Sequence, residues 1–337
     1  MNLLLSEEQT SVVDAIRGFL QDAAPVSRLR PPAPQIGNSD HLLLPGLGEM
    51  GFLGIGLAEK EGGTGLGVPE EALACREFGR YLLSPSVLGV VLAAGLATSF
   101  DEALRNRMIS GREPVGLATR RDSAGGRGGA FYLLDAQEAD WVLAVDESFI
   151  ALLPKSHFVD LEVRRGTDSV VAIASCHLPE LSVGPNVFPP RGEIFDRARI
   201  AVAAYSLGMA EATRDMAVEY SKTRQQFGKP IGSFQAIKHL CADMAIRAEA
   251  ALCQVTYASL VTAGTQQSSA FQSTAAKLVA VDAAIQNAAK NIQVHGAVGF
   301  TAEADAHLFL KRAHLMDQLW GDSRRQRAYM LDARFPD

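Results

Sequence analysis

The string TRQQFGKPIGSFQ at residues 223–235 puts a cation, two amides and an aromatic directly ahead of a glycine-containing break, between two runs of helical spacing. Taken alone, Arg224 can cap the end of the first run, since cations are favoured at a helix C-terminus. The Gly-Lys-Pro-Ile-Gly segment lets the chain reverse without leaving backbone groups unpaired. Two other glycine strings carry less chemistry. GEMGFLGIG at 48–56 lacks the strand, the helix and the acid about 20 residues further on that a dinucleotide loop needs, so it reads as a turn between helices. SAGGRGG at 123–129 reads as a hairpin or loop. Cys75, Cys176, Cys241 and Cys253 are scattered without a C-x-x-C pair. That argues against a zinc site or disulfide framework and predicts a reducing, cytoplasmic setting. Cys241 and Cys253 fall on apolar helix positions and read as core filler.

The elements that would carry these residues fall into three regions. Residues 1–110 read as a helical domain. Ser6 opens a capping pattern before Val12, Val13, Ile16 and Phe19–Leu20. A Pro-rich loop follows at 30–34, then a helical entry at 42–51 and the glycine-rich loop 54–67. Pro69-Glu70-Glu71 opens a further helix. Residues 111–190 form a β domain of short runs, PVGLATR, GAFYLLD, WVLAVD, FIALLP and SVVAIAS, with a sandwich- or barrel-like arrangement predicted. Residues 191–337 are helical again, with stretches at about 196–222, 233–263, 268–295 and 302–333. Ile237, Leu240, Cys241, Met244, Ala248, Leu252 and Val255 share one face of the second stretch. Long amphipathic helices with brief connections predict a four-helix bundle.

The chain has 337 residues, 47% of them hydrophobic, which is ample for a large core. Charged residues make up 21%, the net charge is −6 and no charged tail stands out, so nucleic acid is an unfavoured partner. The N-terminus has no basic stretch ahead of an apolar one, and the apolar run near 87–96 is too short to span a bilayer.

Together, the break and the three-part order resemble the acyl-CoA dehydrogenase family. RQQFGKPIGSFQAIKHLCADM at 224–244 is close to a family signature. QVHGAVGFTAE at 293–303 resembles the Q-x-x-G-G-x-G-x-x-x-E segment, with Ala297 replacing one Gly. LFLKRA at 308–313 and GDSRRQR at 321–327 match the final helix loosely, and LAEKEGGTGLG matches an N-terminal loop. The resemblance implies an N-terminal α-helical domain, a β middle domain and a C-terminal four-helix bundle. It also implies FAD-dependent introduction of a double bond between the α and β carbons of an acyl-CoA. By the match, the 224–235 hairpin reaches across a subunit interface to the ADP half of FAD. Arg224 then meets the pyrophosphate, Gln226 makes a polar contact and Phe227 packs at the cofactor. Phe234 and Gln235 lie near the adenosine side, while Gln293, Val294 and Gly296 cover the adenine end. His295 reads as a packed or hydrogen-bonded residue.

The same resemblance exposes losses. The family's catalytic Glu comes from one of two positions, which here are Ala198, ahead of Arg199, and Trp320, ahead of Gly321. Neither can take a proton from carbon, and an indole at 320 fills volume where a thioester should lie. Glu193, Asp196 and Asp322 lie near but are rotated away, because each residue along a helix turns by about 100°. Glu303 and Asp305 suit helix capping. LATRRDSAGGRGG at 117–129 lacks the Thr-Glu-Pro-x-x-Gly-Ser-Asp pattern that holds the isoalloxazine ring. Trp141 matches a different strand and reads as core. The implied protein is the base-lacking subunit of an α2β2 heterotetrameric, steroid-CoA type dehydrogenase, inactive alone and free of metal. It would share FAD with a catalytic partner that binds most of the acyl-CoA, with electron-transfer flavoprotein or a similar acceptor. Two alternatives stay open. One is a self-sufficient homo-oligomer with a displaced carboxylate, the other a non-catalytic scaffold of the family.

Overall fold

The computed structural model describes residues 3–31, 39–122, 125–189, 192–264 and 268–332. Most of the Pro-rich loop read at 30–34, and residues 123–124 of the SAGGRGG string, lie outside the described residues.

Helix α1, Glu7–Ala23, begins as its sequence predicts. The Ser6 hydroxyl accepts the Gln9 amide at 3.1 Å, and the Gln9 side chain accepts the Ser6 amide at 3.0 Å. Two short helices frame the glycine-rich loop, α2 at Leu44–Glu49 and α3 at Val68–Arg80. Pro69 sits in the first turn of α3, where its missing N–H costs nothing, and Glu70 accepts the Gly67 amide at 2.9 Å. Helix α4, Ser86–Ala97, is apolar and buried almost all round, which accounts for the apolar run near 87–96. Helix α5, Glu102–Ile109, is capped by Asp101.

The middle region is one mixed sheet, with β5 and β7 at its open edges. Its strands are β1 Val115–Arg120, β2 Gly129–Leu134, β3 Trp141–Val145, β4 Ile150–Pro154, β5 Val159–Arg164, β6 Ile173–Leu178 and β7 Val187–Phe188. The order is β5-β6-β2-β1-β3-β4-β7, with β1 parallel to β3 and the other pairs antiparallel. Leu117, Leu134, Leu143 and Leu152 join the core shared with the helices. The opposite face closes over a core of its own around Phe131, Phe149 and Phe158. The predicted strand runs all appear. Strand β5, VDLEVR, is additional; its apolar–charged alternation is the period-two signal, but every residue of it is exposed on a sheet edge. Trp141 is half-buried against Phe100, as a core-side residue should be.

Helix α6, Glu193–Thr223, runs through the middle of the molecule and is buried on every side from Phe195 to Thr213. Helix α7, Gln235–Ala263, and helix α8, Ser269–His295, pack on it, as does α3 from the N-terminal region. The α3–α6 crossing is close because two glycines meet it. A Cβ on Gly79 would lie 1.9 Å from the Tyr205 carbonyl oxygen, and one on Gly208 would lie 1.8 Å from that of Arg76. Arg76 pairs with Glu211 at 2.7 Å along the same crossing.

The single helix predicted over 302–333 is two helices, α9 at Ala306–Gln318 and α10 at Ser323–Asp332. Trp320 at φ 58° and Gly321 at φ 96° leave the right-handed region and break the run. Cys253 is a second correction. It lies exposed on the outer face of α7, while Cys75 and Cys176 are buried and Cys241 is half-buried. Helical spacing alone did not separate the inner face of α7 from its outer one.

The three regions meet at Arg312, which is 2% exposed. Its guanidinium donates to Asp168, to the Leu82 and Leu83 carbonyls and to the Tyr205 hydroxyl. Among the described residues, no helix is long and apolar enough to cross a membrane.

Candidate functional site

The 224–235 segment is a protruding β-hairpin. Strand β8, Gln225–Gln226, pairs with β9, Lys229–Pro230, and the Ile231 amide donates to the Arg224 carbonyl at 2.8 Å. The reversal sits at Phe227–Gly228, one residue earlier than the Gly-Lys-Pro-Ile-Gly reading. Both turn residues have positive φ, 53° and 76°. That is the backbone of the hairpin turn whose twist matches its strands, and Asn or Gly normally supplies its first position. Here a phenylalanine holds it, 90% exposed. Phe227 meets Phe234 edge to face at 5.9 Å, and the Lys229 ammonium lies 4.5 Å from the Phe234 ring centre. Arg224, Gln225 and Gln226 are exposed beside them. Phe234 forms the cap of α7, and the Gln235 amide bonds to His239 at 3.0 Å.

The end of α8 continues this surface. Gln293 is exposed, and Gly296 ends the helix at φ 63° with open space around its Cα. Val294 instead turns inward and packs with Ala217 and Met244. His295 stacks on Tyr220 at 4.0 Å, with Nδ1 2.9 Å from the Asn291 carbonyl oxygen, which is the packed role its sequence context predicts. Phe300 (72% exposed) follows. The surface offers cations, amides and aromatic edges, a set suited to a ligand with phosphates and a flat ring.

The two positions where the resemblance expects a carboxylate base are both buried. Ala198 is 1% exposed on α6, and Trp320 is 4% exposed in the α9–α10 turn. The acids nearby are committed elsewhere. Asp196 accepts both the Ser269 and Ser273 hydroxyls at 2.8 Å, and Asp322 accepts the Arg325 amide at 2.8 Å at the start of α10. Glu193 faces solvent, 3.9 Å from Arg197. Asp305 stands at the α9 start but accepts two hydrogen bonds from Arg30 in place of a cap. Glu303 lies exposed in the turn before α9.

What fills this region is cationic. Arg199, 2% exposed, lies between the rings of Phe195 and Tyr329, 4.0 and 4.1 Å from their centres, and donates to Gln326 at 3.1 Å. Lys277 is 1% exposed and donates to the carbonyls of Leu319 and Gly321. Burial, with Arg199 adding to it, pulls the Lys277 amine down to about 7. Sequence reading passed over both Lys277 and Gln326. The available signal was a lysine set on the inward face of α8, one turn before Val281. Among the described residues, no three His, Cys, Asp or Glu are grouped to hold a metal ion.

Comparison with known proteins agrees with this architecture. Residues 6–110 match the acyl-CoA dehydrogenase N-terminal domain, and residues 191–333 match the acyl-CoA dehydrogenase C-terminal domain. Acyl-CoA dehydrogenase FadE34 of Mycobacterium tuberculosis is 34% identical over 95% of this chain, which spans 47% of that protein, about half its length. Acyl-CoA dehydrogenase IpdE2 of the same organism is 30% identical over 80% of this chain and 79% of its own. Butyryl-CoA dehydrogenase from Megasphaera elsdenii superimposes with a TM-score of 0.81 at 22% identity, covering 98% of this chain and 99% of that one. The ChsE4–ChsE5 complex from Mycobacterium tuberculosis gives 0.81 at 22% identity over the whole of both chains. The chain belongs to the acyl-CoA dehydrogenase family.

Proposed function

We propose that this chain is the base-lacking subunit of a heteromeric, FAD-dependent acyl-CoA dehydrogenase, with a partner subunit supplying the catalytic Glu. The family carries out oxidation of a CH–CH bond next to a thioester, and FAD, when bound, supplies the hydride acceptor. The observation that carries the reading is an asymmetry. The hairpin at 224–235 keeps its cation, amides and exposed aromatics, whereas Ala198 and Trp320 stand buried where a base should be.

The residues fit the two halves of FAD unequally. Arg224 stands exposed to pair with pyrophosphate oxygens, and charge-assisted bonds of this kind are roughly twice as strong as neutral ones. Gln226 adds a polar contact, and Phe227, Phe234 and Gln235 form the edge for the adenosine side. Gln293 and Gly296 extend that edge, and the buried Val294 fixes their backbone from beneath. The ring half does not fit. The 117–129 segment lacks the ring-holding pattern, and the two positions that would carry a base hold Ala198 and Trp320. The ADP-side residues therefore serve a flavin held mainly by a neighbour, where the partner also holds most of the acyl-CoA.

The heteromeric reading gains support from fold neighbours, since ChsE4 and ChsE5 form a complex and Tcur3481–Tcur3483 is a steroid acyl-CoA dehydrogenase. A bulky, steroid-type acyl-CoA follows from that likeness, and electron-transfer flavoprotein or a similar carrier would take the electrons. Purifying the chain alone and together with a base-bearing family member, then measuring acyl-CoA oxidation, tests the reading. Activity only in the mixed assembly supports it, and activity of the chain alone refutes it.

A further inference from the structure

Four successive carbonyls in the α9–α10 turn are each held by a side chain from outside it. The Thr119 hydroxyl, on β1, donates to the Gln318 carbonyl at 3.1 Å. Lys277, on α8, donates to Leu319 at 2.6 Å and also to Gly321. Gln326, on α10 and fully buried, donates to Trp320 at 3.2 Å. The Trp320 amide in turn donates to the Thr119 oxygen at 3.2 Å. Arg325 adds a bond to the Asp122 carbonyl at 2.8 Å, so the sheet and the bundle are joined on both sides of the turn. An unconstrained tryptophan avoids φ 58°, a conformation that costs about 1–2 kcal/mol for a residue with a Cβ. The surrounding bonds over-determine it.

The geometry points to a plug. Trp320 and its staple close the seam between sheet and bundle, so no flavin ring enters this chain's own half-site. This rests on the proposed function, because the position before Gly321 and the 117–129 segment are the two walls between which ring and thioester would lie. Those walls touch. A ring stacked on a thioester would add two layers of about 3.5 Å each between those walls. The Trp320 amide instead bonds the Thr119 hydroxyl directly at 3.2 Å, with no layer between them. Lys277 suits the staple because its amine offers N–H donors to both carbonyls it meets. The plug confines flavin to the face that the hairpin reaches.

Lumiflavin, the isoalloxazine ring without an ADP half, tests this on the full chain. The chain has two tryptophans, so W141F leaves Trp320 as its only indole. The plug predicts that lumiflavin gives no saturable quenching of Trp320 emission. Saturable quenching with one lumiflavin bound per chain overturns it. A second readout needs no mutation. Hydrogen exchange at the Trp320 amide should be slowed more than about tenfold relative to an unstructured peptide. Slowing by less than that overturns the plug. Both readouts are taken on the chain alone, so a failed pairing with a partner chain would leave them unchanged.

Discussion

Phe227 and Phe234 meet edge to face at 5.9 Å across the hairpin, while Phe227 keeps a positive φ and 90% exposure. Exposing an aromatic on a backbone that favours glycine brings no stability to this chain alone. The arrangement makes sense as a surface prepared for a ligand. Arg224→Ala should leave the melting temperature of the chain unchanged and lower FAD retention in the assembled enzyme. Flavin absorbance after gel filtration measures it, and unchanged flavin content removes Arg224 from the site. Phe227→Gly should change stability by less than about 1 kcal/mol while also lowering retention.

The α3–α6 crossing predicts a steric effect far from the ligand surface. Gly208→Ala places a methyl 1.8 Å from the Arg76 carbonyl oxygen, and Gly79→Ala does the same to Tyr205 at 1.9 Å. Backbone cannot yield as a side chain can, so each change should cost about 3 kcal/mol, at the upper end for overpacking. Denaturant melts of the single variants decide this. Gly18→Ala, which meets nothing within 4 Å, serves as the control.

Arg312 and Asp168 are both about 2% exposed at the side chain and lie 144 residues apart. Removing one partner leaves a buried charge, at a cost of about 3–5 kcal/mol. Arg312→Met and Asp168→Leu should each be severe, and the double variant should recover much of the loss. Additive losses in a thermal double-mutant cycle would show that the pair acts separately.

Two buried groups give the stability curve opposite slopes. Burial raises Asp135 to about 6, so between pH 4 and 6 the folded chain holds a proton that the unfolded chain has lost. Stability therefore falls as pH rises through that window, and Asp135→Asn should flatten it. Lys277 is lowered to about 7, so between pH 7 and about 10 the unfolded chain holds the extra proton. Its contribution is present at high pH and is lost as pH falls towards 7, and Lys277→Met should remove that slope. Chemical melts across pH 4 to 10 compare the three proteins.

Much of this architecture is legible in the sequence because its signals are local. Ser6 and Gln9 are three residues apart, and the inward positions of α8 recur every turn. The hairpin announces itself through glycine and proline. Other features depend on partners distant in sequence. Nothing near Trp320 marks a left-handed residue, because Thr119 and Lys277 impose it from another strand and another helix. The Arg312 junction likewise forms only once three regions meet. Strand β5 had a readable alternation, yet its exposed edge position weakens the link between apolar residues and burial. At the candidate site, residue types named the hairpin and the non-acidic residues, Ala198 and Trp320, at the positions where the resemblance expects a base. Only the fold showed that two cations, Arg199 and Lys277, are buried in that region.

FAD content per chain tests the central claim most directly. The chain should retain little flavin when purified alone, and one FAD for every two chains when assembled with a base-bearing partner. A chain that purifies alone with one FAD of its own and oxidises an acyl-CoA would contradict the account.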